Sequence, residues 1–174
     1  SVWARLGSSV EVIELLPNIL GPMDKALTTQ MQKCLEKSGL KFHLETKLLE
    51  AKVEGDKVLA LCEKNREKLQ FEADRLLVTV GRKPNSQNLG LEELGIKTDK
   101  LGRIEVSDKF ETSCPGVYAI GDVIKGPMLA HKAEEEGVAL AELLVNKHGH
   151  VNYSLVPSVV YTWPEVASVG LTEQ

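Results

Sequence analysis

The residues best suited to chemistry gather in YAIGDVIKGPMLAHKAEEEG, residues 118–137, where a short apolar run ends in Gly121-Asp122 and a helix is predicted to follow shortly after. An acid at the end of such a run and a small, apolar helix start both require an explanation. A second acid, Glu14, closes the apolar run of residues 10–13. In a dinucleotide-binding βαβ unit, an acid at the end of the second strand accepts hydrogen bonds from the adenosine ribose, roughly 20 residues after a glycine fingerprint. Counting back from Glu14 places that fingerprint upstream of Ser1. Taken alone, Glu14 reads more simply as a strand-end carboxylate. Gly81 is a third position of this kind, ending the apolar run 76–80. With no Cβ it admits a backbone or a ligand closely, and it serves equally well as a chain turn.

The other chemistry-bearing residue types are dispersed. Cys34, Cys62 and Cys114 are odd in number and form no CxxC, CxxxxC or Cys/His cluster, which argues against a disulfide framework or a metal site. His43 alternates with apolar neighbours in LKFHLET as a strand residue, and His148 and His150 follow a helix end.

These residues must be positioned by elements that the pattern also predicts. Val2, Trp3 and Leu6 read as the end of a helix closed by Gly7, followed by a strand over 10–13. A helix over 24–37 carries Ala26 or Leu27, Met31, Cys34 and Leu35 on one face, with Asp24 as N-cap and Gly39 as its stop. A second parallel strand is expected over 40–44, then a charged three-stranded meander over 48–72 with turns at 54–57 and 63–68. Residues 76–80 read as a strand buried on both faces. Residues 84–115 form a loop-rich linker with one strand at 104–106, and a second short buried strand covers 117–120. The last long helix, 129–147, carries Ala130, Ala133, Gly137, Leu140, Ala141 and Leu144 at helical spacing, a face suited to close approach and expected to be partly uncovered.

Composition narrows the function classes. The chain has 174 residues, 43% of them apolar, and a net charge of −4 with bases and acids interspersed. There is no basic stripe for nucleic acid or a membrane surface. The longest apolar stretches, 76–80 and 138–145, are far too short to span a bilayer, and Glu142 interrupts the second.

At GRKPN, LGLEELGI, YAIGD, GPMLAHKAEEEG and VPSVVYTWPEVASVG the sequence resembles the flavoprotein disulfide reductases with two dinucleotide folds. YAIGD is shared widely among them. GPMLAHKAEEEG followed by VPSVVYTWPEVA is similar to the lipoamide branch. The resemblance implies an α/β fold class with two dinucleotide-binding, Rossmann-like domains, both incomplete, plus the start of an α+β dimerisation domain. Their expected ranges are 1–84 for NAD, 85–151 for the returning part of the FAD domain, and 152–174. It implies FAD and NAD as cofactors. Gly121 and Asp122 would meet the FAD ribityl chain, with Met128, Leu129, Ala130 and His131 against the flavin, where a helix N-terminus stabilises negative charge. Glu14, Leu48 and Gly81 would border NAD, and an acid at Glu14 disfavours a 2′-phosphate. Trp163 takes no role.

The implied reaction passes electrons from dihydrolipoamide on lipoyl domains of multienzyme complexes, through a disulfide and FAD, to NAD. The implied setting is a homodimer in a bacterial cytoplasm or mitochondrial matrix, with no nucleic acid or membrane partner. No catalytic residue is expected within these 174 residues, because the widely spaced cysteines cannot form the redox pair and the catalytic His with its Glu partner belongs to another region. The chain is therefore expected to be an internal fragment, inactive alone. Another disulfide reductase of the family, or a non-catalytic nucleotide-binding module, are the alternatives.

Overall fold

Asp24 starts the first long helix by accepting a hydrogen bond from the Ala26 amide at 2.8 Å, which satisfies one of the donors that a helix start leaves open. In the computed structural model, which describes residues 1–21 and 23–173, that helix, α2 (Lys25–Lys37), follows α1 (Val2–Arg5) and β1 (Val10–Ile13). Gly7 (φ +96°) ends α1, and Gly39 (φ +92°) turns the chain out of α2 into β2 (Leu40–His43). Strands β1 and β2 pair in parallel, from Val10 opposite Leu40 to Ile13 opposite His43. A parallel pair needs a crossover, and α2 supplies it. The helix buries Thr28, Met31 and Leu35. Met31 and Leu35 lie on the predicted face, and Thr28 joins them because its hydroxyl donates to the Lys25 carbonyl and so needs no water.

Three antiparallel strands follow, β3 (Lys47–Glu54), β4 (Lys57–Lys64) and β5 (Glu67–Ala73). Two-residue turns join them, and Asn65 and Arg66 both take left-handed φ, 51° and 68°, as the twist of a tight hairpin demands. The charged meander expected over 48–72 is present, and β3 is exposed throughout. Cys62 and Ala60 are buried on β4, and burial pushes the Cys62 thiol pKa up. Strands β6 (Ser158–Val160) and β7 (Val166–Ser168) pair antiparallel. Val166 enters the same core as Ile19, Met23, Met31, Leu35 and Leu40. The chain accordingly divides into two compact units, Ser1–Val78 together with Pro157–Gln174, and Thr79–Val156.

Residues 76–80 depart from expectation. They form no strand and are exposed, Leu77 at 72% and Val80 at 91%. A strand buried on both faces requires a ladder on each edge and cover on each side. Among the described residues the parallel sheet consists of β1 and β2 alone, and none of the strands pairs with this run.

The second unit is built around Ile96, Ile104, Phe110, Ile124, Ala139 and Val151. The strands predicted at 104–106 and 117–120 reduce to single bridges, Thr98 with Ile104 and Glu111 with Tyr118. Turn chemistry holds the chain instead: Asp99 Oδ1 accepts from the amides of Leu101 at 2.8 Å and Arg103 at 3.0 Å. The last long helix, α3 (Ala130–Leu144), is shorter than predicted and buries another face, Lys132, Glu136 and Ala139. Of the small-residue stripe, Ala130, Ala141 and Leu144 are exposed, while Ala133, Gly137 and Leu140 are half-buried.

Candidate cofactor site

Gly121 opens a single 3-10 turn, Gly121–Val123, packed on α3. Its φ of +75° favours glycine, and a Cβ there would stand 3.3 Å from the Ala133 Cβ. Two charged side chains from α3 hold its peptide groups. The Gly121 amide donates to Glu136 Oε2 at 2.6 Å, and Lys132 Nζ donates to the Gly121 carbonyl at 2.9 Å. Lys132 and Glu136 pair at 3.0 Å with both side chains fully buried. The Tyr153 hydroxyl donates to Glu136 Oε1 at 2.8 Å. No buried side-chain nitrogen or oxygen among the described residues lacks a partner, so the ion pair carries the hydrogen bonds that burial of charge demands.

Asp122 points outward from this buried base. Its side chain is half-exposed, with Oδ2 3.6 Å from Arg82 Nη1. Arg82 also donates to the Met128 carbonyl. One guanidinium therefore ties the Asp122 turn to the segment that leads into α3. That helix begins at N-cap Leu129, which has no side-chain acceptor, and its first turn contains no acid. The start of a long helix thus keeps its positive end without an internal counter-charge. The structure brings together Gly121, Asp122, Met128, Leu129, Ala130 and His131 around one turn and one helix start.

Glu14 lies at the carboxyl end of β1. Its Oε1 accepts from the Leu16 amide at 2.8 Å. Its own amide donates to the His43 carbonyl at 3.0 Å, and its carbonyl accepts from the Thr46 amide at 2.9 Å. The last bond brings the start of β3 to this strand end. Leu48, two residues beyond Thr46, is 37% exposed there. Gly81 belongs to the second unit. It is exposed, with φ +115° and nothing within 4 Å of where a Cβ would stand, so conformation and not crowding calls for glycine.

Sequence reasoning missed Arg82, Lys132, Glu136 and Tyr153. Arg82 sits inside the quoted GRKPN. The Lys132 and Glu136 pair has the four-residue helical spacing that brings opposite charges together, a signal that was available. Tyr153 had none. Among the described residues no cluster of His, Cys, Asp or Glu could hold a metal ion, and all three cysteines are free thiols. No helix among them is long and apolar enough to cross a membrane.

Residues 1–137 match the model for pyridine nucleotide-disulphide oxidoreductases. The chain belongs to that family. Among curated members, it is 53% identical to dihydrolipoyl dehydrogenase 2, mitochondrial, from Arabidopsis thaliana, over 100% of this chain and 35% of that protein. It is also 53% identical to leghemoglobin reductase from Glycine max, over 100% of this chain and 34% of that protein. The chain thus spans about a third of the length of these oxidoreductases. The solved HOCl-induced flavoprotein disulfide reductase RclA from Escherichia coli superposes with a TM-score of 0.85 at 23% identity, over 98% of this chain and 39% of that one. At that identity the likeness speaks for the fold alone, an α/β fold of Rossmann-like character.

Proposed function

We propose that the whole protein is an NAD-linked dihydrolipoyl dehydrogenase. It oxidises the two thiols of a dihydrolipoyl group to the disulfide and reduces NAD, releasing one proton: dihydrolipoamide and NAD+ give lipoamide, NADH and H+. The observation that carries this reading is the joining of the Asp122 turn to the α3 start by Arg82, in a chain 53% identical along its full length to a protein of that name.

The residues present fit a flavin. The glycine at 121, the outward Asp122 carboxylate and a helix start with no side-chain cap together offer an acceptor for a ribityl hydroxyl and a positive end for an anionic ring edge. Bound there, FAD supplies two-electron transfer between thiols and nicotinamide. Gly121 and Asp122 orient the ribityl chain, and Met128, Leu129, Ala130 and His131 exclude water from the ring. Glu14 accepts from the adenosine ribose of NAD and repels a 2′-phosphate. Leu48 and Gly81 border that cofactor. The domain reading assigns 1–84 to NAD, 85–151 to FAD and 152–174 to the start of a dimerisation domain. Lipoyl domains of 2-oxo acid dehydrogenase or glycine cleavage complexes are the substrates of a homodimer working in cytoplasm or mitochondrial matrix.

No two of Cys34, Cys62 and Cys114 are close enough in sequence to form the family's redox pair. These 174 residues alone are therefore expected to transfer no electrons from dihydrolipoamide. The second reading, a family member with another electron acceptor, draws on the leghemoglobin reductase match at the same identity. The test is flavin absorbance of the whole protein, followed by reduction of NAD or NADP with dihydrolipoamide or glutathione. A yellow protein that reduces NAD with dihydrolipoamide alone supports the reading. A flavoprotein inactive with dihydrolipoamide moves the function to the second, and a colourless protein overturns both.

A further inference from the structure

The fully buried Lys132 and Glu136 side chains bind the two peptide groups flanking Gly121, one its amide and the other its carbonyl. Asp122 is attached directly to the second of those peptides. Both binding side chains come from α3, whose first residues form the other part of the candidate flavin site. Gly126 leaves room for the arrangement: a Cβ at that position would lie 2.9 Å from Lys132 Cε. Tyr153 donates to Glu136 Oε1, the oxygen that also pairs with Lys132, while Oε2 accepts from the Gly121 amide.

We propose that Lys132, Glu136 and Tyr153 are positioning residues of the flavin site, which set the direction of the Asp122 carboxylate toward the ribityl chain and lock the Gly121 turn to the start of α3. The inference rests on the reading of Asp122 as a flavin ligand. A backbone turn held at both peptide groups by a buried ion pair cannot swing without depriving those buried side chains of hydrogen bonds that no water replaces, so its conformation is set before the ligand arrives. Such preorganisation removes an ordering cost from binding.

The test is a double-mutant cycle in the whole protein, read as the dissociation constant of FAD for the reconstituted apoprotein, with visible circular dichroism of the bound flavin as a second readout. Glu136→Gln is expected to weaken FAD about tenfold or more with Asp122 in place, because a buried donor or acceptor loses its match. The flavin dichroism should change as well. In an Asp122→Asn background the same substitution should weaken FAD only about twofold or less, since the group being aimed is already altered. Tyr153→Phe carries the same cycle at about threefold should Glu136→Gln not fold, because it removes one hydrogen bond and leaves the ion pair. Equal weakening in both backgrounds, or unchanged affinity and dichroism in a folded variant, would overturn the proposal and leave the cluster a structural support. If Asp122→Asn alone leaves FAD binding unchanged, the flavin reading of Asp122 fails and the proposal falls with it.

Discussion

At the scale of single residues, the charged network behind Gly121 has a titration signature. Burial of the Tyr153 hydroxyl end, then its hydrogen bond to the Glu136 carboxylate, pushes the phenol from 10.0 up to about 12. The folded protein therefore holds this proton more tightly than the unfolded chain. The stability linked to it is complete below about pH 10 and is lost as pH rises toward 12. In an absorbance titration of tyrosinate, Tyr153 is expected to ionise at higher pH than the phenol of an unfolded control, and Tyr153→Phe should remove that late component. Glu11 behaves in the opposite sense. The hydrogen bond from His43, at 2.8 Å, holds its carboxyl below the ordinary 4.5, and Lys41 adds to the effect. Its contribution is present above about pH 4.5 and fades as pH falls through the depressed value. Urea melts should show Glu11→Gln less stable than the native protein at pH 7, with the difference closing as pH falls through the depressed value. The difference should shrink with added salt, since the pair is partly exposed.

At the scale of elements, caps and turns decide how much each segment contributes. Asp24 caps α2 through Oδ1 and accepts from the Glu173 amide through Oδ2, at 3.1 Å. Asp24→Ala should lower stability by about 1 kcal/mol or somewhat more, since it removes the cap and the second bond together. Denaturant unfolding of the whole protein would measure it. The hairpin between β4 and β5 places Arg66 at φ 68°, a conformation that costs a side-chain-bearing residue. Arg66→Gly, which makes the preferred Asn-Gly turn, should be neutral or stabilise by up to about 1 kcal/mol, although glycine also enlarges the unfolded ensemble. A loss above that size would show that the Arg66 side chain makes a contribution of its own. These elements were legible because their signals are local. The cap at Asp24, the stop at Gly39 and the turns at 54–57 and 63–68 each predicted what stands there.

At the scale of the whole molecule, the first unit depends on a core that draws Val166 from the end of the chain to α2 and β2. Met31 is 1% exposed at its centre. Met31→Ala should cost about 2–5 kcal/mol, a large part of the 5–15 kcal/mol that holds a typical domain together. Calorimetry of the whole protein would show it as a marked fall in Tm. At this scale sequence reading also met its limit. The apolar run 76–80 has the composition of a buried strand but remains exposed, because burial depends on strands elsewhere and not on the run itself.

The sequence by itself determined the parallel βαβ start and the three-stranded meander. Each rests on side-chain period, caps or turn residues, which act over a few residues, whereas Gly121, Asp122 and the start of α3 were pointed to as a cofactor site by the family resemblance. It also carried the family, through motifs kept in order along the chain. Only the tertiary structure decided which face of α3 is buried. Apolar periodicity points to the stripe through Ala133 and Gly137. The fold instead buries Lys132 and Glu136, because each charge finds the other and a peptide group within hydrogen-bond reach, and Glu136 also accepts from the Tyr153 hydroxyl. A buried charge is tolerated only when such partners converge, and their convergence from residues 121, 132, 136 and 153 is a property of the folded chain.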